Sequence, residues 1–421
     1  MNMREMKDSG IEWIADIPEH WSVSKIGGLY SLRVTKVSDR DYPPLSVTNK
    51  GILPQLETAA KTNAHDDRKL VCKGDFAINS RSDRRGSCGI SSYTGSVSLI
   101  NTILRPMTEM HPQYYDWLFH TIQFGDEFYK WGHGIVDDLW TTGWQDMKKI
   151  SIPTPPITEQ AVIADFLDEQ CAEIDTLVTD IQSQIEALEE YKRSVITEAV
   201  TKGLDPDVEM RDSGIEWLGF IPSTWQTRKG KYIFVQRNER GNSIELQLLS
   251  PTQKYGVIPQ DLYEEISGYK AVKLDEKTDY SLLKTIHKGD YCISLRSFQG
   301  GFEYSEYEGV VSPAYQVFYP VIEVFRGYYK HLFKTQIFID KMNSFTMSLR
   351  DGKNIAFADF GNTYLPIPPI QEQQQITDYL DSKCAEIDSI IAEKKQQIET
   401  IEEYKKSLIF EYVTGKKEVQ A

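Results

Sequence analysis

Apolar residues recur with a seven-residue period along two stretches of the chain. In the first, Leu167, Ile174, Ile181, Leu188 and Val195 form a stripe flanked by Cys171, Leu177, Val178, Ile185 and Tyr191. In the second, Leu380, Ile387, Ile401 and Leu408 continue the pattern with Lys394 on the stripe and Ile390, Ile391, Ile398 and Tyr404 beside it. Four to five heptads of this kind predict two long helices in a coiled coil, which a single chain can pair antiparallel. A helix of ~43 residues would run about 65 Å. Lys394 either sets the register of the pair or snorkels to its surface. Each stretch opens on a proline stop, Pro153-Thr154-Pro155-Pro156 or Pro366-Ile367-Pro368-Pro369, because proline lacks a donor and disfavours helix before it. Thr158 is the expected N-cap of the first helix, with Glu159 in its first turn. Elsewhere the apolar runs are short. Phe76-Ala77-Ile78 and Tyr291-Cys292-Ile293, each after Lys-Gly-Asp, predict a turn entering a strand, with Asp75 and Asp290 in the turn rather than acting as bases.

These patterns belong to internal repeats. Met6-Lys7-Asp8-Ser9-Gly10-Ile11-Glu12-Trp13, continuing through Ile17-Pro18 to Trp21, returns from Met210 to Trp225 with ten of 16 positions identical. Residues 152–203 return as 365–416 without a gap, 27 of 52 positions identical. The matches include Pro155-Pro156-Ile157, Glu159-Gln160, Cys171 through Asp175, and Glu189 through Lys192. The intervening segments, roughly 22–150 and 226–364, share only Lys-Gly-Asp, an arginine six residues after each Asp, and a Gly51-Ile52-Leu53-Pro54/Gly256-Val257-Ile258-Pro259 parallel. The expected division is therefore 1–151 and 210–364 as two diverged globular domains, each opening on the repeat lead, with 152–209 and 365–421 as shared helical spacers. The chain reads as a mixed α/β (α+β) fold with two globular domains, two long antiparallel helices and a pseudo-twofold repeat.

The chain has 421 residues, enough for two to four domains at roughly 150 residues each. Its net charge of −15 argues at first sight against a nucleic-acid binder. The distribution reverses that reading. The first helical stretch, 151–203, carries −8 and 365–421 carries −4, whereas 22–150 and 226–364 each carry +2. The five cysteines are scattered and form no CxxC pair, so no metal site and a reducing, cytoplasmic setting are expected. The sequence contains no run of about 18 apolar residues and no apolar signal core, so no membrane span is expected. Signatures for a phosphate loop, a dinucleotide fold, a nucleophile elbow, a zinc protease and a calcium loop are all missing, and no catalytic residue is assigned.

Phosphates and guanine are contacted by Arg or Lys, adenine by Asn or Gln. Asn79, Arg81, Arg84 and Arg85 form one such set, and Arg296, Ser297 and Gln299 the corresponding one. Thr48, Asn49 and Lys50 beside Gly51, and Thr252, Gln253 and Lys254 before Gly256, are polar loop tips. Arg350, Lys353 and Asn354 make a further cluster, and Arg228-Lys229-Gly230-Lys231 with Arg237 and Arg240 another. Any one of these alone reads as a solvated loop; corresponding positions in two diverged copies favour a shared task.

The layout resembles the specificity subunit of type I restriction-modification systems. The resemblance rests on the Asp-Ser-Gly-Ile-Glu-Trp leads and on Pro156-Ile157-Thr158-Glu159-Gln160 and Pro369-Ile370-Gln371-Glu372-Gln373 with their long helices, and it covers essentially the whole chain. It implies two target-recognition domains, each reading one half of a split, asymmetric site on double-stranded DNA, and a coiled coil that fixes the spacer. It implies two methyltransferase subunits on the helical regions, carrying S-adenosylmethionine for adenine N6, and two restriction subunits using ATP and Mg. The chain itself would be non-catalytic. Base-reading residues do not carry over by motif, since recognition domains diverge with their targets.

Two other classes compete. An acidic two-headed adaptor or DNA mimic should concentrate acid on its globular surface, opposite to what is found. A self-contained enzyme should carry a catalytic signature, and would show activity in the purified chain alone. If Arg81 and Arg296 read bases, Arg81→Ala and Arg296→Ala should each weaken cognate binding by ~1–3 kcal/mol; unchanged preference for cognate over scrambled duplex would remove that assignment.

Overall fold

The computed structural model describes residues 4–55, 65–81, 84–134, 140–241, 246–270, 280–293, 301–345 and 355–419. The two heptad stretches are single helices, Ile157–Lys202 and Ile370–Val413. The first starts on the residue after Pro156, so Thr158 lies within the first turn rather than capping it. Leu167, Ile181, Leu380, Ile387 and Leu408 are buried, and Ile174, Leu188, Val195 and Ile401 half-buried, as the stripe predicts. Leu177, Tyr191 and Tyr404 stand off the seam and are exposed.

The chain divides into two compact units that cut across the sequence repeats. One comprises residues 1–182 and 395–421, the other 183–394. Each unit thus holds one diverged domain with half of each long helix. In the first unit, Phe166 meets Tyr412 with ring centroids 4.5 Å apart, and Asp175 takes Lys405 Nζ at 2.6 Å. In the second, Lys192 Nζ reaches Asp388 at 2.6 Å and Lys394 Nζ donates to Gln184 Oε1 at 2.6 Å. In both, positions rise along one helix as they fall along the other, so the pairing is antiparallel. Lys394 reaches across the seam instead of turning away from it. Asp175 and Asp388 are repeat mates, as are Lys192 and Lys405. One ion pair is therefore made twice, once within each unit, with the copies exchanged. Being partly exposed, each pair contributes little energy and mainly fixes register.

The diverged domains share a topology that their sequences barely show. In the first unit an antiparallel sheet runs Cys88–Ile90, Phe76–Asn79, Asn101–Pro106, Tyr30–Leu32; in the second, Phe302–Tyr304, Tyr291–Ile293, Gln316–Pro320, Phe234–Gln236. Helices Pro112–Phe119 and Ile122–Lys130, or Arg326–Leu332 and Gln336–Asn343, cover one face. Aromatic residues fill the space between. Phe76 meets Phe119 at 4.3 Å, and Phe318 meets Phe360 at 4.8 Å in tilted geometry.

The Lys-Gly-Asp turns are structural, as their position before a strand suggests. Buried Asp75 takes both Arg33 Nε at 2.6 Å and Arg33 Nη2 at 2.9 Å, while its Oδ2 also accepts the Cys72 amide. Asp290 does the same with Arg237 and the His287 amide. A buried carboxylate needs this paired, hydrogen-bonded setting to stay charged.

The repeated motifs build the joint between domain and helix. Gln160 Oε1 accepts the His111 amide at 2.8 Å while its Nε2 donates to Pro155 O at 2.8 Å. Gln373 repeats this with Phe325 N at 2.9 Å and Pro368 O at 2.8 Å. The lead tryptophans, both buried, donate to the neighbouring glutamates: Trp21 Nε1 to Glu159 at 3.0 Å and Trp225 Nε1 to Glu372 at 2.9 Å. Burial works to raise the Glu159 carboxyl, but Trp21, His20 and Arg4 hold it below its ordinary range; Glu372 is pushed up by burial, with Trp225 opposing. Finally, Tyr114 OH donates to Val413 O and Tyr328 OH to Val200 O, each at 2.7 Å, tying every domain to the end of the other long helix.

Truncating the central glutamine removes the partner of the half-buried Phe325 amide and of the buried Pro368 carbonyl. Gln373→Ala should lower the stability of the second unit by ~1–3 kcal/mol per orphaned group, read as an earlier melting transition. An unchanged melt would show that the joint is not held by these bonds.

Candidate nucleic-acid interface

Each domain raises a β-hairpin whose tip holds sequence-predicted residues. Leu45–Thr48 pairs with Gly51–Pro54, and Leu249–Thr252 with Gly256–Pro259. The two threonines serve the turn. Thr48 Oγ1 donates to Gly51 O at 2.9 Å and accepts the Lys50 amide; Thr252 Oγ1 donates to Gly256 O at 3.0 Å and accepts the Tyr255 amide. This leaves Asn49 and Lys50, and Gln253 and Lys254, exposed at the tips. Lys254 Nζ lies 4.9 Å from the Tyr255 ring centroid, and Lys334 Nζ donates to Gln253 O at 3.3 Å.

The hairpins sit directly on a sheet strand. A Cβ at Gly89, in strand Cys88–Ile90, would stand 2.8 Å from Gly51 Cα. In the second unit, a Cβ on Gly256 would stand 2.8 Å from Tyr304 O, in the matching strand Phe302–Tyr304. Gly256 also has φ +70°, a left-handed conformation that side chains resist. Glu303 occupies the position of Gly89 in this strand and is buried; desolvation pushes its carboxyl up, against Lys334 at 2.7 Å, which draws it down.

The arginine set lies on the turn that leads into strand Cys88–Ile90, so the first hairpin and this turn share one strand. Asn79 is buried, and its Oδ1 accepts the Arg81 amide at 3.1 Å. Arg81 is half-buried, its carbonyl taking Tyr129 OH at 2.9 Å, and it bridges to Thr141. Arg84 and Arg85 are exposed; Arg85 lies 5.0 Å over the Tyr129 ring and 3.2 Å from Asp126. Tyr129 and Asp126 thus shape the turn from more than 40 residues away, which no local pattern signals. Arg296, Ser297, Gln299, Arg350, Lys353 and Asn354 fall outside the described residues. No group of three His, Cys, Asp or Glu among the described residues is placed to hold a metal, and no described helix is long and apolar enough to cross a membrane.

Gly256→Ala adds a strained φ and a clash with backbone that cannot yield. It should cost ~1–3 kcal/mol of stability in the second unit and loosen the tip that carries Lys254, weakening DNA binding in parallel. A full-strength melt and unchanged binding would show that the tip tolerates displacement.

The type I restriction modification DNA specificity domain matches residues 222–400. The type I restriction enzyme MjaVIII specificity subunit of Methanocaldococcus jannaschii is 24% identical over 429 residues, 95% of this chain and 93% of that protein. A second protein of that organism, provisionally described as the MjaX specificity subunit, is 25% identical over 290 residues, 64% of this chain and 60% of that one. In fold, the chain is similar to one from a type I R-M system, solved to explain complex assembly and conformational transition. The TM-score is 0.68 at 11% identity, covering 95% of this chain and 99% of that one. It is also similar to the HsdS subunit of Thermoanaerobacter tengcongensis, with a TM-score of 0.51 at 14% identity, covering 95% and 98%. Over 95% of its length the chain is thus similar in sequence and fold to specificity subunits of type I restriction-modification systems, and its two diverged domains on duplicated helical joints fit that likeness.

Proposed function

We propose that this chain is such a specificity subunit and reads a bipartite, asymmetric site on double-stranded DNA, one half with each diverged domain. The observation that carries this reading is the contrast within each unit. The Trp–Glu, Gln and Tyr contacts that join domain to helix are the same in both copies. The hairpin tips have diverged: Asn49-Lys50 in one, Gln253-Lys254-Tyr255 in the other. A scaffold kept twice while its reading edge changes suits a protein that must recognise two different sequences at a set separation. The paired helices then act as the ruler between half-sites.

The same helices present acid to solvent and would carry two methyltransferase subunits, which bind S-adenosylmethionine and methylate adenine N6. Two restriction subunits would add ATP- and Mg-dependent translocation and cleavage. This chain contributes sequence choice and no bond-making step.

Methylome sequencing of a host expressing this chain with its neighbouring methyltransferase, against a deletion of this gene, tests the reading. The expected result is a bipartite N6-methyladenine motif that disappears on deletion. Replacing residues 226–364 with the same segment of a different specificity subunit should change one half of the motif only. A contiguous motif, or one that survives deletion, would contradict it.

A further inference from the structure

At the root of each domain, the strand leaving the lead pairs with the strand entering the long helix: Ser22–Lys25 with Ser151–Thr154, and Gln226–Lys229 with Tyr364–Ile367. A lysine and a glycine face each other beside this pair, with their positions exchanged between copies. In the first unit a Cβ on Gly27 would lie 3.0 Å from Lys148 Cβ. In the second, the position of Gly27 is Lys231 and that of Lys148 is Gly361, and a Cβ on Gly361 would lie 3.4 Å from Lys231 Cβ. Each domain therefore carries one ammonium at this spot, supplied from opposite sides of the same small gap. Lys25 and Lys229, at matching positions in the outgoing strand, add a second cation to each face.

The second face is the richer. Lys229 Nζ lies 5.5 Å from the Tyr364 ring centroid and Lys231 Nζ lies 5.4 Å from that of Tyr232; both rings are exposed. Exposed Arg228, one residue earlier in the strand, points to the opposite side with Gln226, to whose side chain it donates at a long 3.4 Å, and is not part of this face. The other arginines of this basic stretch are already engaged: Arg237 with Asp290 and Glu239, and Arg240 Nη1 with Leu282 O at 2.6 Å. Among the described residues, none of Lys25, Lys148, Lys229 and Lys231 forms an ion pair with this chain's own acid, in a protein of net charge −15.

We infer that these two faces are phosphate-binding sites for the DNA backbone, separate from the hairpin tips and indifferent to base sequence. The inference rests on the DNA-binding reading above and extends it to a part of the fold given no role there. Lysines propped on exposed rings suit the diffuse charge of a phosphate track, the rings holding the ammonium groups out towards solvent. Losing such contacts lowers affinity for any sequence alike and makes binding less sensitive to salt, since each neutralised phosphate contributes about 0.9 to the slope of log K against log salt.

The test is fluorescence anisotropy of the full chain, with its methyltransferase subunits bound, on a cognate and a scrambled duplex from 50 to 200 mM salt. The double variant K229A/K231A should weaken binding to both duplexes several-fold and flatten the slope by up to about 2, and K25A/K148A should do the same. The cognate-to-scrambled ratio should stay at its unaltered value. The charge-keeping variant K229R/K231R should bind like the unaltered chain, which separates lost phosphate contacts from a damaged fold. Unchanged slopes in both alanine variants would overturn the inference, as would loss of methyltransferase binding with DNA binding intact, which would make the face a protein dock. Failure of the unaltered complex to prefer the cognate duplex would instead contradict the recognition reading; the slopes on scrambled duplex would still decide the phosphate faces.

Discussion

A buried glutamine amide at the start of each long helix governs how the molecule is assembled. Gln160 and Gln373 each satisfy a proline carbonyl within the helix stop and a backbone amide at the entrance of a domain helix. The proline carbonyls lie in buried bonds, which are costly to break and leave little freedom of placement. The adjacent glutamate takes the indole N–H of a buried lead tryptophan, and a buried tyrosine hydroxyl closes the joint on the end of the other helix. Together these contacts place a domain on a helix pair to within hydrogen-bond tolerance. The proposed reading of DNA by the hairpin loops asks for that precision at the joint more than in the loops.

The two copies use the joint with different electrostatics. In the first, Glu159 is met by Arg4 and His20 as well as Trp21 and is held ionised. In the second, burial pushes Glu372 towards its neutral form. Folding of the first joint is therefore favoured while Glu159 stays charged and loses support as pH falls through its lowered range. The second joint is best supported at low pH and loses support as pH rises through the raised range of Glu372. The same geometry is thus reached with opposite charge preferences.

The joint was largely legible in the sequence, because duplication marked the residues that build it: the proline stops, Glu-Gln, the lead tryptophans and the heptad stripe. The Lys-Gly-Asp turns were legible as turns, although the arginines that clasp Asp75 and Asp290 lie about 40 and 50 residues upstream. The split of each long helix between two compact units was not legible, since a periodic stripe shows that a helix has a partner and not which domain each half packs against. The proposed reading edge was the least legible. Its positions are tuned by distant neighbours, such as Tyr129 and Asp126 around the arginine turn and Lys334 beneath the second hairpin. Asn79 has the chemistry to read adenine, yet strand pairing buries it and gives its oxygen to the Arg81 amide. Residue type alone does not separate a base reader from a turn former.

The central claim is that two diverged domains on one duplicated joint read two halves of one site. Hydroxyl-radical footprinting of the full chain with its methyltransferase subunits, on the duplex identified by methylation, tests it most directly. Two protected patches flanking a more accessible spacer are predicted, with one patch lost when the hairpin of the corresponding domain is disrupted. A single continuous patch, or loss of both patches from damage to one hairpin, would contradict it.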